Sequence, residues 1–215
     1  MRQIHELFMS AIAEERQRVA TRRGVLSNGA KIAAGGAVAL AAMPALGRLT
    51  AMAQAFTDDL DVLNYALTLE HLEFSFYRDG LAGFTAADFE GGIYDNLILV
   101  RDHEGTHVDT LIQVITSLGG TPVAEATYDF GYSDAAGFLA VAAALENTGV
   151  SAYDGAAASI VSVDLLNAAG TIVAVEARHA SYLTLVSGGV PFPAAFETPL
   201  DRAAVLEIAG PFIVG

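Results

Sequence analysis

At 215 residues the chain is long enough for one domain with a real core, and with no Cys it can form no disulfide, thiolate metal site or Cys nucleophile. A formal charge of -14 and a pI near 4.5 argue against nucleic acid or an anionic membrane surface as a partner, because both need clustered Lys and Arg.

Basic residues crowd the start of the chain, where seven of the eleven lie before residue 54. Within that stretch Thr21-Arg22-Arg23-Gly24-Val25-Leu26 leads into a weakly apolar run from Gly24 to Met43, rich in Ala and Gly and broken by Asn28 and Lys31. So many small residues around an internal Lys suit a membrane span poorly, and the small-residue cleavage sites Ala51-Met52-Ala53 and Ala53-Gln54-Ala55 follow. The segment resembles a twin-arginine export signal. That resemblance implies removal of residues 1–53 and a mature protein that is periplasmic or otherwise exported, with no membrane contact. It also implies export of an already folded protein, often with its metal inserted in the cytoplasm. An uncleaved N-terminal helix that packs or anchors is the alternative.

From Phe56 onward the pattern is helical, with four long apolar-periodic runs separated by Gly, Pro and Asp. The first follows the capping cluster Thr57-Asp58-Asp59 and runs to about Tyr77. The second extends from about Tyr94 to Leu118 and stops at Gly119-Gly120-Thr121-Pro122. A long irregular stretch to Tyr132 precedes the third, which starts at Ser133-Asp134 and runs to about Ile160. After a polar break at Ser162 to Asp164, the fourth ends near Val186, and Thr198-Pro199 reads as the cap and first position of a short helix ending at Gly210-Pro211. Fourteen residues at about 3.3 Å each span roughly 45 Å, more than the length of a 25-residue helix, so the stretch after helix 2 can run along the whole bundle. The expected fold is all-α: an up-down four-helix bundle over 54–190 with one long crossover between helices 2 and 3, followed by a tail over 191–215 with a short C-terminal helix.

The inward stripe of each helix carries acids where apolar residues belong. On helix 1, Leu60, Leu63, Leu67, Glu70, Phe74 and Tyr77 share one face, and on helix 2 Leu97, Val100, Glu104, His107, Leu111, Val114 and Leu118 do the same. Helix 3 repeats the theme with Leu139, Ala142, Glu146, Gly149 and Tyr153, and helix 4 with Ala169, Ile172, Glu176, His179, Leu183 and Val186. Four carboxylates in one apolar bundle raise each other's pKa, and desolvation costs roughly several kcal/mol per ion, unless counter-charge is present. Two divalent cations supply it. The ligand set is then Glu70, Glu104, His107, Glu146, Glu176 and His179: two Glu-x-x-His pairs, each on one helix face, and two single acids placed to bridge. Glu73 and Tyr153 flank the centre, Glu73 as an added ligand, a solvated residue or a neighbour that touches the ligands, and Tyr153 as a hydrogen-bonding or redox-tuning group or simply a core aromatic. Gly149 leaves room either for a small oxidant or for close helix packing, whereas His71 and His103 fall off the stripe, at the surface or its flank.

The order Glu, Glu-x-x-His occurs twice, so helices 1-2 and 3-4 read as two copies of one unit. Over most of 56–188 the chain resembles the ferritin-like superfamily, through Leu69-Glu70-His71-Leu72-Glu73-Phe74, His103-Glu104-Gly105-Thr106-His107-Val108, Ser117-Leu118-Gly119-Gly120-Thr121-Pro122-Val123, Tyr128-Asp129-Phe130 and Val175-Glu176-Ala177-Arg178-His179-Ala180. These stretches are similar to exported bacterial ferritin-like domains related to plant desiccation-related proteins. The resemblance implies a dinuclear centre on the six positions, with iron as the first expectation and manganese as the alternative. It leaves three functional expectations: a di-iron oxidase, ferroxidase or peroxidase reacting with dioxygen or peroxide; a dimanganese catalase; and a non-catalytic stress-protective bundle stabilised by metal. Oligomeric state is open, with a homo-oligomer among the possibilities, and electron transfer through a rubredoxin-type site within the chain is excluded by the lack of Cys.

Overall fold

The computed structural model describes residues 55–215, so the expected export segment, with Arg22, Arg23 and nearly all of both cleavage sites, lies outside the described residues. Four long helices form the body: α1 (Asp59–Gly80), α2 (Ile93–Ser117), α3 (Ala135–Ala157) and α4 (Val163–Val186). A short fifth, α5 (Arg202–Ala209), packs on α3. The bundle unit takes in the described residues to Pro191 and again from Pro199, and the stretch 192–198 carries no helix or strand.

Each boundary has a local cause. Asp58, Asp134, Ser162 and Asp201 cap the starts of α1, α3, α4 and α5, accepting from the N–H of Asp61, Gly137, Leu165 and Ala204. Such caps satisfy donors that have no partner inside a helix. At the end of α2, Gly119 takes a left-handed φ of 79° and Gly120 N–H returns to the Ile115 carbonyl at 2.9 Å, which closes the helix. The α3–α4 turn is tied to the start of α1, where the Asp59 carboxylate accepts from the N–H of Val161 (2.7 Å) and Ser162 (3.0 Å).

α1 pairs with α2, and α3 with α4, as two antiparallel hairpins. The chain between them runs the length of α1. Val123 is held near the start of α1 by the Asn64 side chain (2.7 Å), Glu125 by Arg78 near its end (2.9 Å), and Phe130 and Tyr132 then pack on Phe76. This confirms the long crossover and explains why α1 is buried nearly all round. His71, expected at the surface, is only 6% exposed because its Nε2 meets the Val123 carbonyl at 3.2 Å under the crossover. Beyond α5 the tail pairs with the same crossover in an antiparallel bridge, Tyr128 with Ile213, flanked by Thr127 N–H to Gly215 O at 2.8 Å.

The expected start of the last helix is corrected: Asp201, not Thr198, is its cap. Leu200 still lies outside the helix, with its N–H on the Ser151 carbonyl at 2.9 Å, so Pro199 belongs to the approach. The core fills both ends of the bundle. Phe76 stacks on Phe138 at 4.4 Å at one end, and Leu67, Leu111 and Ile115 pack at the other. Leu67, Leu97, Ile115 and Leu183 are fully buried, each worth about 1.5–3 kcal/mol. Among the described residues, α3 alone is long and apolar enough to cross a membrane, yet it buries Phe138, Leu145 and Glu146 inside the bundle. Between the two apolar ends lies a polar layer.

Candidate metal centre

That layer consists of Glu70 on α1, Glu104 and His107 on α2, Glu146 on α3, and Glu176 and His179 on α4. All four acids are 0% exposed. His107 Nδ1 lies 3.2 Å from Glu70 Oε2, 3.1 Å from Glu104 Oε2 and 3.2 Å from Glu176 Oε1. His179 Nδ1 lies 3.0 Å from Glu104 Oε1 and 3.2 Å from Glu146 Oε2, aligned for a hydrogen bond with neither. One ring proton cannot serve three carboxylates, and Glu104 Oε1, Glu146 Oε2 and both Glu176 oxygens have no hydrogen-bond partner. Buried oxygens without donors, converging with imidazole nitrogens, are what a cation site requires.

Two overlapping groups emerge. Ligand atoms of Glu70, Glu104, His107 and Glu176 lie within 4.8 Å of one another, as do those of Glu104, Glu146, Glu176 and His179. The shared residues are therefore Glu104 and Glu176. This corrects the expectation that Glu70 and Glu146 bridge: each of those belongs to one group only, while the acids of the Glu-x-x-His pairs sit between both. The four-Glu, two-His set fits two metal ions.

The surroundings follow the internal repeat. Tyr77 lies seven residues after Glu70 and donates to Glu146 Oε1 at 2.7 Å, while Tyr153 lies seven after Glu146 and donates to Glu70 Oε1. Each half of the chain thus fixes the outer acid of the other half. Sequence periodicity placed Tyr77 on the inward face and read it as core; only the antiparallel offset of α1 and α3 reveals its partner.

Glu73 is 3% exposed, which rules out the solvated alternative and leaves it as a buried neighbour of the centre. It belongs to neither group, yet it presses against the layer at Gly149, the position that matches it in the repeat. A Cβ there would stand 3.0 Å from Glu73 Oε1 and 3.5 Å from Glu176 Oε2, so Gly149 makes room for a fifth carboxylate. His103 is exposed, as expected, but its Nδ1 meets His179 Nε2 at 2.9 Å, so the second group has an imidazole behind its histidine.

Without cations this layer is electrostatically strained. Burial, reinforced by Glu146 and Glu70 against the two histidines, pushes the Glu104 carboxyl up to about 7. Burial and the neighbouring acids drive Glu176 and Glu73 well above the usual carboxylate range. Burial alone would lower the histidines, but Glu104, Glu176 and Glu70 outweigh it and raise His107 to about 12; Glu104 and Glu146 raise His179 to about 10. Protons here stand in for the missing positive charge.

Residues 58–189 match the ferritin-like domain family. The chain is 28% identical to Protein rds1 of Schizosaccharomyces pombe over 169 residues, which cover 74% of this chain and 40% of that protein, so it spans about two fifths of that relative's length. A crystal structure of a conserved hypothetical protein from Mycobacterium tuberculosis aligns with a TM-score of 0.52 at 25% identity, covering 63% of this chain and 94% of that one.

Proposed function

We propose that this chain, which belongs to the ferritin-like domain family, holds a pair of iron ions in its polar layer and reacts there with dioxygen or peroxide. The observation that carries this reading is the overlap of two acid-histidine groups through Glu104 and Glu176. Glu70 and His107 would complete one ion's ligands, Glu146 and His179 the other's. Carboxylate oxygen with imidazole suits iron, and such a pair supplies the electrons that reduce an oxygen species.

The chain's own residues prepare the layer. Tyr153 and Tyr77 occupy one oxygen each of Glu70 and Glu146, leaving Glu70 Oε2 and Glu146 Oε2 turned to the histidine nitrogens. Burial and the neighbouring Glu176 raise the Glu73 carboxyl well above the usual carboxylate range, which favours its protonated form in the metal-free chain. Leu67, Leu97 and Leu183, all 0% exposed, exclude water above and below the layer.

Metal analysis of the purified full chain is the test. The expected result is two iron equivalents per chain, close to none in Glu104→Ala or Glu176→Ala, and about one in Glu70→Ala or Glu146→Ala. Equal loss in all four variants, or binding untouched by any of them, overturns the reading. Manganese uses a similar donor set, so oxygen release from peroxide by a manganese-loaded sample would replace iron oxidation with catalase activity. Tight metal binding without turnover would reduce the function to stabilisation.

The reading extends to an exported protein, supported by Arg22-Arg23 and the small-residue sites after the apolar run. Replacing both arginines with Lys is expected to leave the chain in the cytoplasm on fractionation. Unchanged export would remove this part of the proposal.

A further inference from the structure

A cavity of about 60 Å³ lies inside the bundle at the end where α1 and α4 begin. Its walls include Leu69, Leu111, Ala152, Ala156, Ala169 and Ile172, so small Ala side chains on two helices leave the space open. Tyr153 forms part of the wall, and its hydroxyl bonds to Glu70, so a single side chain links the cavity to one acid-histidine group. Thr110 and Ala168, both exposed, line its side between α2 and α4 and give it an outlet to solvent.

The lining chemistry restricts the occupant. Tyr153 is engaged with Glu70, and Thr110 donates to the Thr106 carbonyl at 2.7 Å. Tyr65 is the one lining hydroxyl with no partner. Water needs two to four polar partners, and hydrogen peroxide, with two O–H groups, is no easier to satisfy. The volume is also well under the roughly 150 Å³ of an apolar cavity that accepts benzene, so organic molecules of ordinary size do not fit. A diatomic or monatomic apolar species fits both limits.

We propose that this cavity is a holding site for dioxygen beside the dimetal layer, which makes dioxygen rather than peroxide the oxidant the protein is built to receive. The inference rests on the functional reading above but is tested separately from it, with xenon as the probe of an apolar gas site. Crystals of the full chain under xenon pressure are expected to show one xenon against Tyr153, lost in Ala169→Leu and more highly occupied in Ile172→Ala. In the iron-loaded protein, Ala169→Leu should slow iron oxidation by dioxygen about tenfold and leave oxidation by peroxide within twofold. Should Ala169→Leu not fold, Ile172→Ala still decides the site through xenon occupancy. Absence of xenon from the wild-type cavity overturns the holding site whatever the metals do, and equal slowing with both oxidants overturns the assignment to dioxygen. A protein that takes up xenon yet reacts with neither oxidant overturns the functional reading and the dioxygen assignment together, while the apolar gas site stands.

Discussion

At the scale of single residues, the polar layer makes the metal-free protein sensitive to pH in an unusual direction. Glu104 titrates at about 7 when folded and at the ordinary carboxylate value when unfolded, so between about 4.5 and 7 the folded state binds more protons than the unfolded one. Stability therefore falls as pH rises through that window. Glu73 and Glu176, raised well above the ordinary carboxylate range by burial and the neighbouring acids, add to the fall in the same sense. His107 and His179 act in the same sense: what they contribute is present below the ordinary histidine value and lost as pH climbs through about 10 and about 12. Chelator-treated protein is expected to resist denaturant better at pH 5 than at pH 8, with the order reversed at saturating metal, because cations then replace protons. A metal-free protein that gains stability over that range would contradict this account. The six acids and histidines were legible because each breaks an apolar stripe in phase with Leu and Val. Their division of labour was not, since spacing along one helix says nothing of how far a side chain reaches across the bundle. Burial of His71 was equally hidden, for it depends on a crossover that covers α1.

At the scale of elements, α5 is docked through a backbone contact that tolerates no side chain. Gly155 on α3 sits directly under the Leu200 carbonyl, where any Cβ would collide with main chain rather than with a movable side chain. Gly155→Ala should cost about 1–3 kcal/mol, or release α5 from α3, as read by denaturant melting and by amide exchange across 200–209. Wild-type stability in that variant would mean that the contact is slack. Helix limits were readable to within a few residues from Asp, Ser and Gly at the ends. The start of α5 was misplaced because Thr-Pro is itself a good helix opening, and the hydrogen bond between Leu200 and Ser151, far apart in the chain, is invisible in local sequence. The bridge between Tyr128 and Ile213 escaped for the same reason.

At the scale of the whole molecule, the two hairpins are halves of one centre. Neither holds a complete group: each gathers residues from both, and the tyrosine of each half is spent on the acid of the other. The duplication was visible in the repeated motif order, while a departure from it, Glu73 facing Gly149, takes its meaning only from the packing of α1 against α3. A consequence follows for the time course of assembly. Hairpins form from neighbours along the chain and are fast, whereas joining them must collect five carboxylates from a flexible state into one dry layer. Each hairpin brings its own acids together, but the repulsion between the two sets falls on that joining step. Stopped-flow refolding at neutral pH is thus expected to show helix formation indifferent to added Fe(II) or Mn(II), and burial of the tyrosines accelerated by it. Cations would then be midwives of the native state as well as its occupants, and a rate of tyrosine burial unmoved by them would place the repulsion later than the folding barrier.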